Sequence, residues 1–221
     1  MKTAYFENRT MDERSDKMLL KLARQVKRRR PPFKKVGASL IVLDMQRYFL
    51  EKNSHAFVPS APAVVPSINS LISIFRSSNR PVVFTRHVNA PSDAGSMARW
   101  WKDLIAKENP LSEIIAELAT TDCPVVEKSQ YDAFYETSLD EYLRQCNTEQ
   151  VIICGVLTHL CCESTARSAF SRGFDVFFTI DGTATYNEDF HMATLLNLSH
   201  GFATPLKARE IMSFMENVDG T

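Results

Sequence analysis

The chain has 221 residues, with 26 lysines and arginines balanced by 26 aspartates and glutamates, and 44% of its residues are apolar. That much apolar material at zero formal charge excludes a disordered, collagen-like or low-complexity chain and argues against a general polyanion binder. The length suits one α/β unit that buries roughly 70% of its unfolded surface, so no disulfide or metal is needed as a staple.

Residues 11–29 are the first predicted element, a helix opened by Thr10 with Glu13 three positions on, the spacing of a capping box, and stopped by Pro31 and Pro32. Met18, Leu19, Leu22, Ala23 and Val26 recur at helical spacing. They give this N-terminal helical arm, residues 1–37, an apolar stripe to set against the body of the protein or a second subunit. The basic run at 27–30 suits a helix C-terminus and solvent better than nucleic acid, and no nucleic-acid partner is expected.

Beyond the arm, short apolar, β-branched runs at 38–43, 81–85, 124–126, 150–156 and 174–180 alternate with helical patterns. The helices are expected at 61–78, 110–119, 138–146, 160–172, 188–199 and 206–216, and Ser138 with Glu141 repeats the capping-box spacing. Continuous rather than alternating hydrophobicity means strands covered on both faces. The expected class is therefore α/β, a parallel sheet between helices, with residues 38–221 forming one domain. No apolar run reaches the ~18 residues of a membrane span, and the charged N-terminus lacks a signal-peptide core. Five cysteines without a CxxC pair suggest free thiols. A cytoplasmic protein without a membrane partner is expected.

In an open parallel sheet, ligands bind beyond the carboxyl ends of the strands, so the polar residues that follow the apolar runs are the candidates. Asp44, Lys128 and Cys161 stand there. A thiol at a helix N-terminus near a lysine is expected to have a lowered pKa, and a carboxylate can take its proton and later activate water. Each residue also has a plain structural reading: a cap at Asp44, a solvated strand-end lysine at Lys128, an inert core thiol at Cys161.

The segments SLIVLDMQRYFL, VVEKSQYDAF and VIICGVLTHLCCESTARSAFSRGFDVFFTIDGTAT resemble, in order and spacing, the signature blocks of the isochorismatase-like cysteine hydrolase superfamily. The similarity runs from residue 38 to about 205. It implies a three-layer Rossmann-like sheet, an Asp44–Lys128–Cys161 triad and a cis peptide between Val156 and Leu157, with the backbone N–H groups of Leu157 and Cys161 as an oxyanion hole. It also implies a homo-oligomer, dimer or tetramer.

Nicotinamidases of this superfamily carry a metal site on an Asp-x-His segment. The stretch after Asp44 has only His55, so neither a metal nor an organic cofactor is expected. Isochorismate hydrolases resemble the third block but have glycine in place of Cys161 and glutamine in place of His87. Cys161 thus points to cleavage of an amide or carbamoyl C–N bond of a small molecule through a thioester. The alternatives are vinyl-ether hydrolysis of the isochorismate type and a non-catalytic binding module.

Phe49, Trp100, Trp101, Tyr131 and Phe134 follow strand ends and are candidates for an apolar slot, or for ordinary core and interface positions. His87 and His159 are candidates for substrate contact or for structural histidines. Cys162, like Cys123, Cys146 and Cys154, is assigned to packing or the surface.

Overall fold

Ala38–Leu43 (β1) is apolar at every position except Ser39 and buried along its whole length, as a strand covered on both faces must be. In the computed structural model, which describes residues 1–25, 30–101 and 103–216, β1 pairs in parallel with Val82–His87 (β2) on one side and Gln150–Val156 (β4) on the other. Val125–Lys128 (β3) extends the sheet beyond β2. Asp175–Ala184 (β5) and Thr204–Leu206 (β6) extend it beyond β4. Among the described residues these six strands form one parallel sheet in the order β3-β2-β1-β4-β5-β6.

Helices flank the sheet: Met11–Gln25 (α1), Arg47–Leu50 (α2), Ala61–Ser77 (α3), Met97–Trp100 (α4), Leu139–Gln145 (α5), Glu163–Ser171 (α6), Glu188–Gly201 (α7) and Ala208–Glu216 (α8). The apolar stripe of α1 turns inward, burying Met18 and Leu22, and α1 packs against α7 and β5. Its far side is tied down by Lys207, 1% exposed, whose ammonium meets Asp12 and Asp16. Val26 and the basic residues 27–29 lie outside the described residues. Among the described residues no helix is long and apolar enough to cross a membrane. All five cysteines are free.

The helix expected at 110–119 does not form. Only a single 3-10 turn, Pro110–Ser112, is present, because the backbone beyond it is taken up by the segment after β1. Arg47 N–H donates to Glu113 O, Ile115 N–H donates to Met45 O, and Gln46 bridges Ile114 in antiparallel fashion. Propensity is overridden by tertiary pairing. Nor does Ser138 cap α5 with its side chain. At 204–206, where no strand was expected, Pro205 sits in the edge strand β6, the position that tolerates a missing N–H.

One backbone approach decides how β1 and β4 meet. Gly155 pairs with Leu43 at φ 114°, and a Cβ there would lie 2.0 Å from Leu43 O. Only glycine fits.

Candidate active site

The sheet runs outward in both directions from the β1–β4 pair, the switch point beside which a crevice opens at the strands' carboxyl ends. Four polar residues converge there. Asp44 directly follows β1, His87 closes β2, Lys128 closes β3, and Cys161 sits in a π-helical turn, Thr158–Cys162, between β4 and α6. The peptide bond entering that turn, Val156–Leu157, is cis.

Asp44 is fully buried with a left-handed backbone, φ 49°. The Thr85 hydroxyl accepts its N–H at 3.1 Å and donates to Oδ1 at 2.6 Å, which leaves Oδ2 turned to Lys128 Nζ at 2.8 Å. The same ammonium donates to Gln130 O at 2.9 Å and lies 3.3 Å from both Cys161 Sγ and His87 Nδ1. Burial alone pushes the Asp44 carboxyl up, but the Lys128 ammonium, helped by His87 and by hydrogen bonds from Cys161 and Lys128, holds it below the usual carboxylate range. Burial likewise opposes the charge on Lys128, and Asp44 with Cys161 raises its pKa nonetheless. The resting pair is therefore ionised.

The thiol departs from expectation. Cys161 is only 4% exposed, and burial pushes its pKa up to about 12, the Lys128 ammonium offsetting only part of this. Loss of hydration outweighs the cation beside it, so the resting sulfur is protonated. Burial and the same ammonium push His87 down to about 4, which keeps it neutral.

The group opens onto a cleft of about 270 Å³. Of the residues singled out from sequence, Phe49, His87, Trp101, Tyr131, Leu157 and Cys161 line it. Asp44 and Lys128 are buried and do not line it themselves, and neither do three other candidates. Trp100 is 78% exposed, Phe134 is buried in a stack on Phe174, and His159 stacks on Phe190 at 4.4 Å with its Nδ1 at the Thr185 hydroxyl. A change of one position on a short turn reverses a tryptophan's exposure: Trp101 turns in, and its Nε1 donates to Tyr131 Oη at 2.7 Å.

Tyr48, Tyr186 and Lys2 line the cleft as well and were not singled out. Tyr186 follows a strand end and was within reach of that rule. Lys2 was not, because it arrives from the far N-terminus, where Thr3 N–H bonds Tyr186 O and the ammonium stands 4.3 Å over the Tyr186 ring.

Asp44, His87 and Cys161 are the described residues whose donor atoms could together hold a metal ion. Lys128 Nζ is already in contact with all three, so the space and the charge balance are both taken by an ammonium, and the residues present do not fit a resident metal.

A buried thiol, carboxylate and ammonium at the switch point of a parallel α/β sheet define a hydrolase of Rossmann-like architecture. The family profile described as isochorismatase domain matches residues 38–210. Nicotinamidase 3 of Arabidopsis thaliana is 42% identical over 181 residues, 80% of this chain and 87% of that protein. The crystal structure of a cysteine hydrolase from Pseudomonas syringae pv. phaseolicola 1448A superposes with a TM-score of 0.81 at 27% identity, covering 85% of this chain and 96% of that one. N-carbamoylsarcosine amidase from Thermoplasma acidophilum does so with a TM-score of 0.69 at 25% identity, covering 83% and 99%. The chain belongs to the isochorismatase family and is a hydrolase of that family.

Proposed function

We propose that the chain is a metal-independent cysteine amidohydrolase, cleaving the C–N bond of a small, flat amide or carbamoyl compound through a thioester on Cys161. The observation that carries this reading is the placement of Cys161 Sγ 3.3 Å from an ammonium that itself lies 2.8 Å from Asp44 Oδ2. A thiol so placed can pass its proton to the carboxylate and keep its new charge against the lysine.

Attack then forms the C–S bond, and the carbonyl oxygen takes up the negative charge. The backbone N–H groups of Leu157 and Cys161 are assigned as its donors, a pair commonly worth a few kcal/mol each in the transition state. Asp44 returns the proton to the departing nitrogen, the C–N bond breaks, and a water activated by the same carboxylate hydrolyses the thioester. The aromatic walls formed by Phe49, Trp101, Tyr131 and Tyr186 suit a planar acyl group. Two relatives carry names that denote amide hydrolysis, a nicotinamidase and an N-carbamoylsarcosine amidase.

The test is ammonia release from nicotinamide and from N-carbamoyl amino acids, with isochorismate as control. Cys161→Ala is expected to lower amide turnover by at least about 10³-fold, and intact-mass spectra of the unaltered protein should show an acyl adduct. Isochorismate cleavage that survives Cys161→Ala, with no amide turnover by the unaltered chain, overturns the reading.

A further inference from the structure

The polar side chains that line the cleft divide into those already matched with partners and those with a hydrogen still to give. Asn89 Nδ2 donates to Ser129 O at 2.8 Å, its Oδ1 takes the His87 Nε2 hydrogen at 2.9 Å, and His87 Nδ1 accepts from Lys128 Nζ at 3.3 Å. His55 Nδ1 lies 3.2 Å from Asp103 Oδ2, and its Nε2 lies 3.2 Å from Tyr48 Oη. A carboxylate only accepts, so in the neutral ring Nδ1 carries the hydrogen and Nε2 takes that of the tyrosine. Asp103, the one carboxylate among the described residues lining the cleft, is thus spent on His55.

Tyr131, Tyr186 and Lys2 are not matched in this way. An indole N–H only donates, so Trp101 Nε1, 2.7 Å from Tyr131 Oη, uses a lone pair of that oxygen and leaves the phenol hydrogen unclaimed. Tyr186 Oη has no hydrogen-bond partner among the described residues. Both residues are half-buried. Burial raises the pKa of each, and Cys161 adds to the rise in both, as Tyr131 does in Tyr186. The two hydroxyls and the sulfur therefore stand round one space. Lys2 Nζ, 4.3 Å over the Tyr186 ring, spends one of its three hydrogens on His55 O at 2.5 Å.

The segment that carries Lys2 is pinned. Thr3 N–H donates to Tyr186 O at 2.8 Å, Asn187 Nδ2 to Met1 O at 3.2 Å, and the N–H groups of Tyr5 and Phe6 to Ser60 Oγ at 2.9 and 3.0 Å. Three donors, one of them a cation, are thus held at the cleft. An amide oxygen offers two lone pairs and a pyridine nitrogen one, too few for all three. A carboxylate offers about four, and its charge makes each bond roughly twice as strong.

We propose that Tyr131 Oη, Tyr186 Oη and Lys2 Nζ together bind a carboxylate of the substrate. This inference rests on the amidase reading above and narrows it to small amides or carbamoyl compounds that are also acids.

The experiment titrates Cys161→Ala, which cannot consume its ligand through the sulfur, by calorimetry with two pairs of compounds. Succinamate is paired with 4-methylpentanamide and N-carbamoylglycine with isobutylurea, so that in each neutral partner two methyl groups stand where the carboxylate oxygens were. Each acid is expected to bind at least about 30-fold more tightly than its partner, an advantage that shrinks as salt is added. Adding Lys2→Met should cut the advantage about tenfold, and Lys2→Arg should keep it within about threefold. Tyr131→Phe and Tyr186→Phe, which keep the rings, should each cut it about three- to tenfold. Because the advantage is a ratio measured on one protein, a general loss of fold cancels from it.

Equal affinities within both pairs, no binding by any of the four compounds, or an advantage that survives all three removals overturns the inference. Turnover by the unaltered protein decides the amidase reading separately. Ammonia release from acidic and neutral members alike, with charge-blind binding, overturns the carboxylate site alone. Charge-selective binding without turnover of either acid overturns the amidase reading and leaves the carboxylate site standing.

Discussion

Lys128 holds a buried carboxylate in its charged form, and this sets the cost of removing it. In Lys128→Met, Asp44 is left buried beside Thr85 with no cation. The expected loss is about 3–5 kcal/mol in urea unfolding, together with turnover. The double variant Asp44→Asn, Lys128→Met should regain much of that stability, because the buried charge is gone, and none of the activity if Asp44 carries the proton as proposed. A single Lys128→Met variant as stable as the unaltered protein would refute an ionised pair. Asp44, Lys128 and Cys161 could be picked out in the sequence because the first two end apolar runs and the third follows one as the next helix opens, and the topology rule brings such residues together. Thr85 and Asn89 could not, since their work is to orient a lone pair, a matter of rotamer and partner. The thiol's pKa was also beyond reach: helix and lysine are visible in sequence, whereas the depth of burial that outweighs them is not.

Among the elements, the two central strands, β1 and β4, begin and end where the apolar pattern does. The segment 110–119 misleads because Leu111, Ile114, Ile115 and Leu118 keep helical spacing while the backbone from Glu113 to Ile115 pairs with residues 45–47. The position of α1 was likewise open between the body and a second subunit, and Lys207 supplies the answer from close to 200 positions away: its Nζ reaches Asp16 Oδ1 at 2.7 Å and Asp12 O at 3.1 Å. Lys207→Met keeps the apolar stem and removes those bonds. It is expected to cost about 1–3 kcal/mol and to speed proteolytic cleavage within α1 several-fold relative to the sheet. Cleavage unchanged in site and rate would mean that Lys207 does not hold the helix in place. Gly155→Ala acts between elements, forcing β1 and β4 apart at Leu43. It should leave little soluble folded protein, and an alanine variant of normal melting temperature would contradict the β1–β4 register.

For the molecule as a whole, burying histidines in the neutral state ties stability to pH. Burial pushes His191 down to about 3, and burial with the Lys128 ammonium pushes His87 down to about 4, both below an unfolded value near 6.5. His191 joins three parts of the fold, with Nδ1 3.0 Å from Tyr5 Oη and 3.1 Å from Thr158 Oγ1, while Tyr5 Oη also accepts the Thr185 N–H. Between the two pKa values the unfolded chain binds a proton that the folded chain refuses. Stability from these groups is therefore complete above about pH 6.5 and drains away as the pH falls toward 4, at about 1.4 kcal/mol per pH unit for each group once well below 6.5. Half-buried His159, also pushed down to about 4 by burial, adds in the same direction. Urea unfolding at pH 7, 6 and 5 should show the free energy falling ever more steeply. His191→Gln, which cannot take up a proton, should flatten the curve by about one group's share. Equal stability at pH 7 and pH 5 would show that these imidazoles are as free to charge in the folded state as in the unfolded chain.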